Sequence, residues 1–183
     1  MTAGSITATA KAGIAMTNGT LSVTGGIVTG YTYGVQLDST NTPTFTLGTN
    51  DSTVTSSPTA TPSITATKAS TGIGVYMGAG SFNFYDGVVK GATDKSISGT
   101  VTSKPDGYDV VKTNSDGVQT AVLGKIYTVT YNYSTNGGTS ATTTTAQVAA
   151  GEQVDLTPTA TKSGWTFIGW NSSSTATTKL NSY

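Results

Sequence analysis

From Gly80 to Gly91 the chain reads Gly-Ser-Phe-Asn-Phe-Tyr-Asp-Gly-Val-Val-Lys-Gly, and apolar residues alternate with polar ones. Period-two alternation is the mark of a half-buried strand. Phe82 and Phe84 share one face, and Ser81, Asn83 and Tyr85 share the other. A turn dipeptide, Asp86-Gly87, follows. After it Val89 points inward, because its neighbour Lys90 must point out. The predicted unit is strand, glycine corner, strand, glycine corner.

The same unit occurs earlier. Gly19 to Gly30 reads Gly-Thr-Leu-Ser-Val-Thr-Gly-Gly-Ile-Val-Thr-Gly and lies over Gly80 to Gly91 at an offset of 61, with Gly19, Gly26, Val28 and Gly30 matched exactly in type. Leu21 becomes Phe82, Val23 becomes Phe84 and Ile27 becomes Val88, so Leu21 and Val23 are the inward pair and Val28 the inward residue after the corner. Upstream, Ser5-Ile-Thr-Ala-Thr9 recurs unchanged at Ser63-Ile-Thr-Ala-Thr67, and Gly13 and Met16 pair with Gly74 and Met77. Self-similarity of this kind marks a repeat whose units bury their apolar face only by stacking on neighbours. The expected fold is all-β, a right-handed parallel β-helix (β-solenoid) over residues 1–124. About 120 residues at ~20–25 per coil give about five coils, or roughly 25 Å of rod at the spacing of adjacent strands. A β-sandwich is the alternative, but it calls for hairpins at regular short spacing rather than corners. Residues 40–62, with Pro43, Pro58 and Pro62, read as an excursion between coils that still contains a strand at Thr44-Phe-Thr-Leu47.

Composition narrows the function. The chain of 183 residues has 40 Thr, 20 Ser and 23 Gly, and no His, Cys or Arg. Nine Lys balance nine acids. The commonest general base, the thiolate nucleophile, the zinc knuckle and the bidentate anion clamp are all missing. Zero net charge leaves no electrostatic footprint for nucleic acid. Leu, Ile, Val and Phe total only 33, yet disorder would also require high net charge. The excess is Thr, which suits strands. No apolar run reaches the ~18 residues that span a membrane, so no membrane insertion is expected. The start lacks the pattern of a signal peptide and no wall-sorting motif follows, so an exported protein would carry these elsewhere in a longer chain.

Over residues 4–123 these repeats resemble the β-helical repeat regions of large bacterial surface proteins. The resemblance implies an architecture and a cell-surface or cell-wall setting, and no ligand.

Composition shifts near Lys125. Tyr127-Thr-Val-Thr-Tyr-Asn-Tyr133 alternates like a strand and Asn136-Gly137-Gly138 is a turn signal. A second strand is expected over 142–148 and a turn over 149–152. Gly164-Trp-Thr-Phe-Ile-Gly-Trp170 holds both tryptophans. Residues 125–183 are similar to the Listeria–Bacteroides repeat, also called the internalin B-repeat, through Val129-Thr-Tyr131, Asn136-Gly-Gly-Thr139, Gly151, Leu156 and Lys162-Ser-Gly-Trp-Thr-Phe-x-Gly-Trp170. That similarity implies a small β-grasp-like module. Ala160 stands where the family often has Pro, extra residues precede the Asn-Gly-Gly turn, and the module is expected to be incomplete, with an open strand edge.

Trp165, Phe167 and Trp170 are read as module core rather than as a sugar-stacking platform. Candidate ligand contacts are Tyr31 with Tyr33 and Asn83 with Tyr85, outward residues that suit a carbohydrate groove. The nine acids are scattered, and Asp106 and Asp109 belong to a Pro-Asp-Gly turn region, so no carboxylate pair for catalysis, no calcium loop and no cofactor site is expected. The reading is a non-enzymatic structural or adhesive segment of an extracellular bacterial protein, a stiff spacer or presentation scaffold, with a carbohydrate-binding or adhesin module as the alternative and a polysaccharide-degrading β-helix enzyme as the third. Its expected partners are host glycans, surface proteins or cell-wall components.

Overall fold

The computed structural model describes residues 1–183 except Ser39, Ser52 and the stretches 135–136, 141–144, 173–178 and 181–183. The described residues form strands and no α-helix. The chain divides into two compact units, Met1–Lys125 and Ile126–Tyr183.

In the first unit eleven short strands follow in order: β1 (Ser5–Thr7), β2 (Ala12–Met16), β3 (Thr20–Val23), β4 (Ile27–Gly30), β5 (Tyr33–Leu37), β6 (Thr44–Leu47), β7 (Ser63–Ala66), β8 (Ile73–Met77), β9 (Ser81–Phe84), β10 (Val88–Ala92) and β11 (Ile97–Ser98). Each joins the third strand before it. One parallel sheet runs β1-β4-β7-β10, a second β2-β5-β8-β11, and a third β3-β6-β9, continued by a parallel bridge from Asn83 to Ser103. The chain therefore visits three sheets in rotation, and like positions line up in columns.

These columns make the core. Ile6, Val28, Ile64 and Val89 are in register across the first sheet. In the third, Leu21, Phe45 and Phe82 form one column and Val23, Leu47 and Phe84 the next. Val28, Val89, Phe82 and Phe84 are fully buried, as their alternation requires. Burial of each such side chain is worth about 1.5–3 kcal/mol. Ile6 points the same way as Val28 but belongs to the first strand of its sheet and stays 37% exposed.

Close approach explains one set of glycines. Gly13, Gly34 and Gly74 hold equivalent positions in β2, β5 and β8, and a Cβ on Gly34 would lie 2.6 Å from both Gly74 O and Ile64 Cγ2. No side chain fits between these levels.

The longest parallel run has four strands, not the expected five levels, for two reasons. Among the described residues of 48–62 there is no strand: Thr55 N donates to Asp86 Oδ1 at 2.8 Å and the Ser56 hydroxyl donates to Leu123 O, so the excursion lies along later levels. Strand β6 within the Pro-rich region does form. Second, the stretch after Lys104, expected as solenoid, folds back as an antiparallel hairpin of β12 (Tyr108–Ser115) and β13 (Val118–Thr130). Asp116 and Gly117, with φ of 52° and 79°, make the two-residue turn that reverses it. Strand β13 then pairs antiparallel with β10, Val89 opposite Ala121. Here the buried polar pair Ser96 and Gln119 satisfy each other, with Ser96 Oγ donating to Gln119 Oε1 at 2.6 Å and Ser96 N at 3.0 Å.

In the second unit the last residues of β13 pair antiparallel with β15 (Thr145–Ala149), and β14 (Thr139–Ser140) pairs with β16 (Ala160–Thr161). The expected strand over 142–148 is thus observed from Thr145, and its first three residues lie outside the described residues, as does Asn136.

Candidate functional site

The four candidate ligand contacts fall on two different sheets. Tyr31 sits at the corner between β4 and β5 and is 41% exposed. Its backbone N donates to Lys11 O at 2.8 Å, and its carbonyl accepts from Lys68 N at 2.8 Å. Three consecutive levels therefore stack as Lys11, Tyr31 and Lys68, and Lys68 Nζ stands 5.9 Å from the centre of the Tyr31 ring. Two residues on, the half-buried ring of Tyr33 packs on Tyr76, with centroids 5.0 Å apart and planes tilted by 35°. Val75 is fully buried, so Tyr76 beside it faces out, and the ring pair lies on the outer surface of the second sheet. Gln36 is in register with Tyr76.

Asn83 and Tyr85 lie instead along the third sheet, where both are engaged within the protein. Asn83 Nδ2 donates to Thr46 Oγ1 at 3.3 Å, and the Tyr85 hydroxyl is 3.0 Å from Ser103 Oγ. Tyr31 and Tyr33 thus lie at and on the second sheet, and Asn83 and Tyr85 on and beside the third. Tyr76 and Lys68 were missed by the sequence reading. A signal for Tyr76 is present in the sequence: Gly34-Val-Gln-Leu37 lies over Gly74-Val-Tyr-Met77 at neighbouring levels, a one-level match that the 61-residue, two-level repeat does not show.

Most of the acids serve local turns and pairs. Asp51 accepts from Thr49 and Thr53, Asp94 from Asn114 and Gln119, Asp109 from Lys104 at 2.6 Å, and Asp155 from Thr157. Hydrogen bonds from Thr53, and next from Thr49, hold the Asp51 carboxyl below its ordinary value, and those from Thr157 do the same for Asp155. For Asp109 the hydrogen bond from Lys104 is the main cause of a lowered value. Among the described residues no group of three or more His, Cys, Asp or Glu is placed to hold a metal ion.

The second unit carries an aromatic cluster around Trp170. Its ring lies 5.2 Å from Tyr131, 5.2 Å from Tyr133 and 5.3 Å from Phe167, and its Nε1 donates to Pro158 O at 2.8 Å. Burial, and after it the nearby charge of Asp155, pushes the Tyr131 phenol up. Beside the cluster a cavity of ≈ 1100 Å³ is lined by Val129, Tyr131, Leu156, Trp165, Phe167 and Trp170 among others. The core reading holds for Phe167 and Trp170, which are half-buried, and fails for Trp165, which is 73% exposed with Lys162 Nζ 4.8 Å over its ring. Residues 165–170 are not a strand, so no pleat sets Trp165 and Phe167 on a common face.

Residues 127–183 match the Listeria-Bacteroides repeat domain. The match takes in the Trp170 cluster and the β13–β15 pairing from Tyr127 onward, and leaves the parallel sheets of the first unit outside it. No curated protein and no solved structure matches the chain. Among the described residues no helix is long and apolar enough to cross a membrane.

Proposed function

We propose that the chain is a non-enzymatic spacer or presentation segment of a bacterial surface protein, built as a parallel β-helix followed by a β-grasp-like repeat module. One observation carries the reading: every third strand joins the same sheet in register, so apolar columns such as Leu21–Phe45–Phe82 run from level to level. A stack of this kind is stiff along the column, because each level is hydrogen-bonded to the next, and Thr and Ser coat it without net charge. The similarity of residues 127–183 to a repeat domain supports the extracellular setting. Acids occupied in turns support the absence of catalysis.

Replacing residues 1–125 with an unrelated rod of equal length, in a cell-surface display of a downstream epitope, tests the spacer role. Antibody access equal to that of the native chain is expected. Access restored only by the native segment would contradict it.

A second reading, a glycan-binding module, is favoured by the outward ring pair Tyr33–Tyr76 and the exposed Tyr31 at the neighbouring corner. Binding of the full chain to immobilised polysaccharides tests it, and no saturable binding to any of them would remove it.

A further inference from the structure

We infer that the outer face of the second sheet, together with its corner with the first, binds an acidic polysaccharide, one whose sugar rings carry carboxylates. The inference rests on the glycan-binding reading and sharpens it to one face and one ligand class.

Three observations converge there. First, the aromatic groups come from successive levels: Tyr31 and Tyr33 from the β4–β5 segment, Tyr76 from β8. Tyr31 and Tyr33 share one level and Tyr76 belongs to the next, and the Tyr33 and Tyr76 rings stand 5.0 Å apart, so aromatic surface crosses from one level to the next, which suits an extended chain rather than a small molecule in a pocket. Sugar rings present C–H faces that pack on such aromatics, whose hydroxyls stay available at the rim. Second, the charge around Tyr31 is positive. Lys11 and Lys68 flank Tyr31 above and below, and Lys68 already stands over its ring. Asp94, at the same corner one level beyond Lys68, accepts from Asn114 and Gln119. A carboxylate on the ligand complements Lys11 and Lys68 while the ring it belongs to stacks on Tyr31. Third, Gln36, in register with Tyr76, supplies an amide on the same face, a group that both donates and accepts toward sugar hydroxyls. The other candidate surface lacks this combination, since Asn83 and Tyr85 bond to Thr46 and Ser103.

The test is titration of the full chain with polygalacturonate, a neutral galactan and poly-glutamate at low and high salt. Saturable binding to polygalacturonate is expected, weakened by salt because exposed lysines contribute. Tyr31→Ala should weaken it about tenfold, near the upper end of one aromatic contact, and Tyr31→Phe should restore it. Lys68→Gln should weaken it at low salt and much less at high salt. Tyr85→Phe should leave it unchanged, and far-UV circular dichroism of each variant should match the parent. Equal binding of the neutral galactan with no effect of Lys68→Gln would overturn the acidic ligand and leave the glycan reading standing. Loss of binding on Tyr85→Phe with none on Tyr31→Ala would overturn the face in the same way. Poly-glutamate binding as well as polygalacturonate would overturn ring stacking in favour of an acidic peptide. No saturable binding to any polysaccharide would overturn both.

Discussion

Phe45 and Phe82 stack face to face in adjacent parallel strands, with ring centroids 5.2 Å apart and planes 9° from parallel, although 37 residues separate them in sequence. Both rings are fully buried, and Phe84 continues the stack at 5.6 Å from Phe82. Removing the Phe82 ring therefore opens a cavity against Phe45 of the neighbouring level and Phe84 of its own strand. Phe82→Ala should cost about 3–5 kcal/mol in urea unfolding, against little change for Tyr127→Ala, a residue 55% exposed. A cost below about 1 kcal/mol would mean the column is not packed as described.

Gly34→Ala tests the closeness of the levels rather than their apolar content. The new Cβ would stand 2.6 Å from a backbone oxygen that cannot move aside without displacing β8. A loss of about 1–3 kcal/mol is expected by chemical denaturation, and a neutral result would show that the second sheet has slack at this point.

How much of this was legible follows from these residues. Phe82, Phe84, Val28 and Val89 announce their inward direction because Ser, Asn, Thr and Lys sit between them, and period two is a local property. The 61-residue offset is also legible, but it spans two levels. The level between carries Ile27-Val-Thr-Gly30 over Ser5-Ile-Thr-Ala8, which share a pattern and few identities. The hairpin has its own signal, Asp116-Gly117 between alternating segments, which competes with the continuing repeat upstream. The pairing of Tyr33 with Tyr76 depends on which levels are neighbours, which only the one-level match of Gly34-Val-Gln-Leu37 to Gly74-Val-Tyr-Met77 carries. The exposure of Trp165 was hidden for a related reason: alternation was read where no strand forms.

Gln119→Leu probes the junction between the parallel levels and the hairpin. It leaves Ser96 N and Oγ, both at a fully buried residue, without their acceptor. A buried polar group stripped of its partner costs about 1–3 kcal/mol, so thermal unfolding should shift down while Ser96→Ala, which keeps the backbone donor to Gln119 Oε1, shifts it less. Equal effects of the two changes would deny the hydrogen bond its part.

In the second unit, Trp170→Ala should abolish the cluster with Tyr131, Tyr133 and Phe167, costing about 3–5 kcal/mol or unfolding the unit, as followed by tryptophan fluorescence and near-UV dichroism. Trp165→Ala, at a site 73% exposed, should leave stability within about 0.5 kcal/mol. The reverse order of effects would place the core of the module elsewhere.

Stability should decline at both extremes of pH. Asp51, Asp109 and Asp155 have carboxyls lowered from 3.8 in the folded chain, so the stability they contribute is present above that value and is lost as pH falls through the lower folded values. The Tyr131 phenol is raised from 10.0, so its contribution is present below that value and is lost as pH rises through the higher folded one. Melting temperature against pH should be flat between and fall outside, and Lys104→Ala should raise the Asp109 carboxyl in NMR titration. An Asp109 value unmoved by that change would contradict the pairing.

The most direct test of the stacked parallel levels uses the absence of cysteine, which permits clean labelling in pairs. Thr7, Thr29, Thr65, Lys90, Thr120 and Thr113 are in register across successive strands of the first sheet and its hairpin. Spin labels at Thr7 and Thr113 should lie about five strand spacings apart, ~24 Å, and labels at Thr7 and Thr65 about two, ~10 Å. Distances by dipolar electron resonance that grow in those steps are the expected result. A Thr7–Thr113 separation no greater than that of Thr7 and Thr65 would contradict the stack.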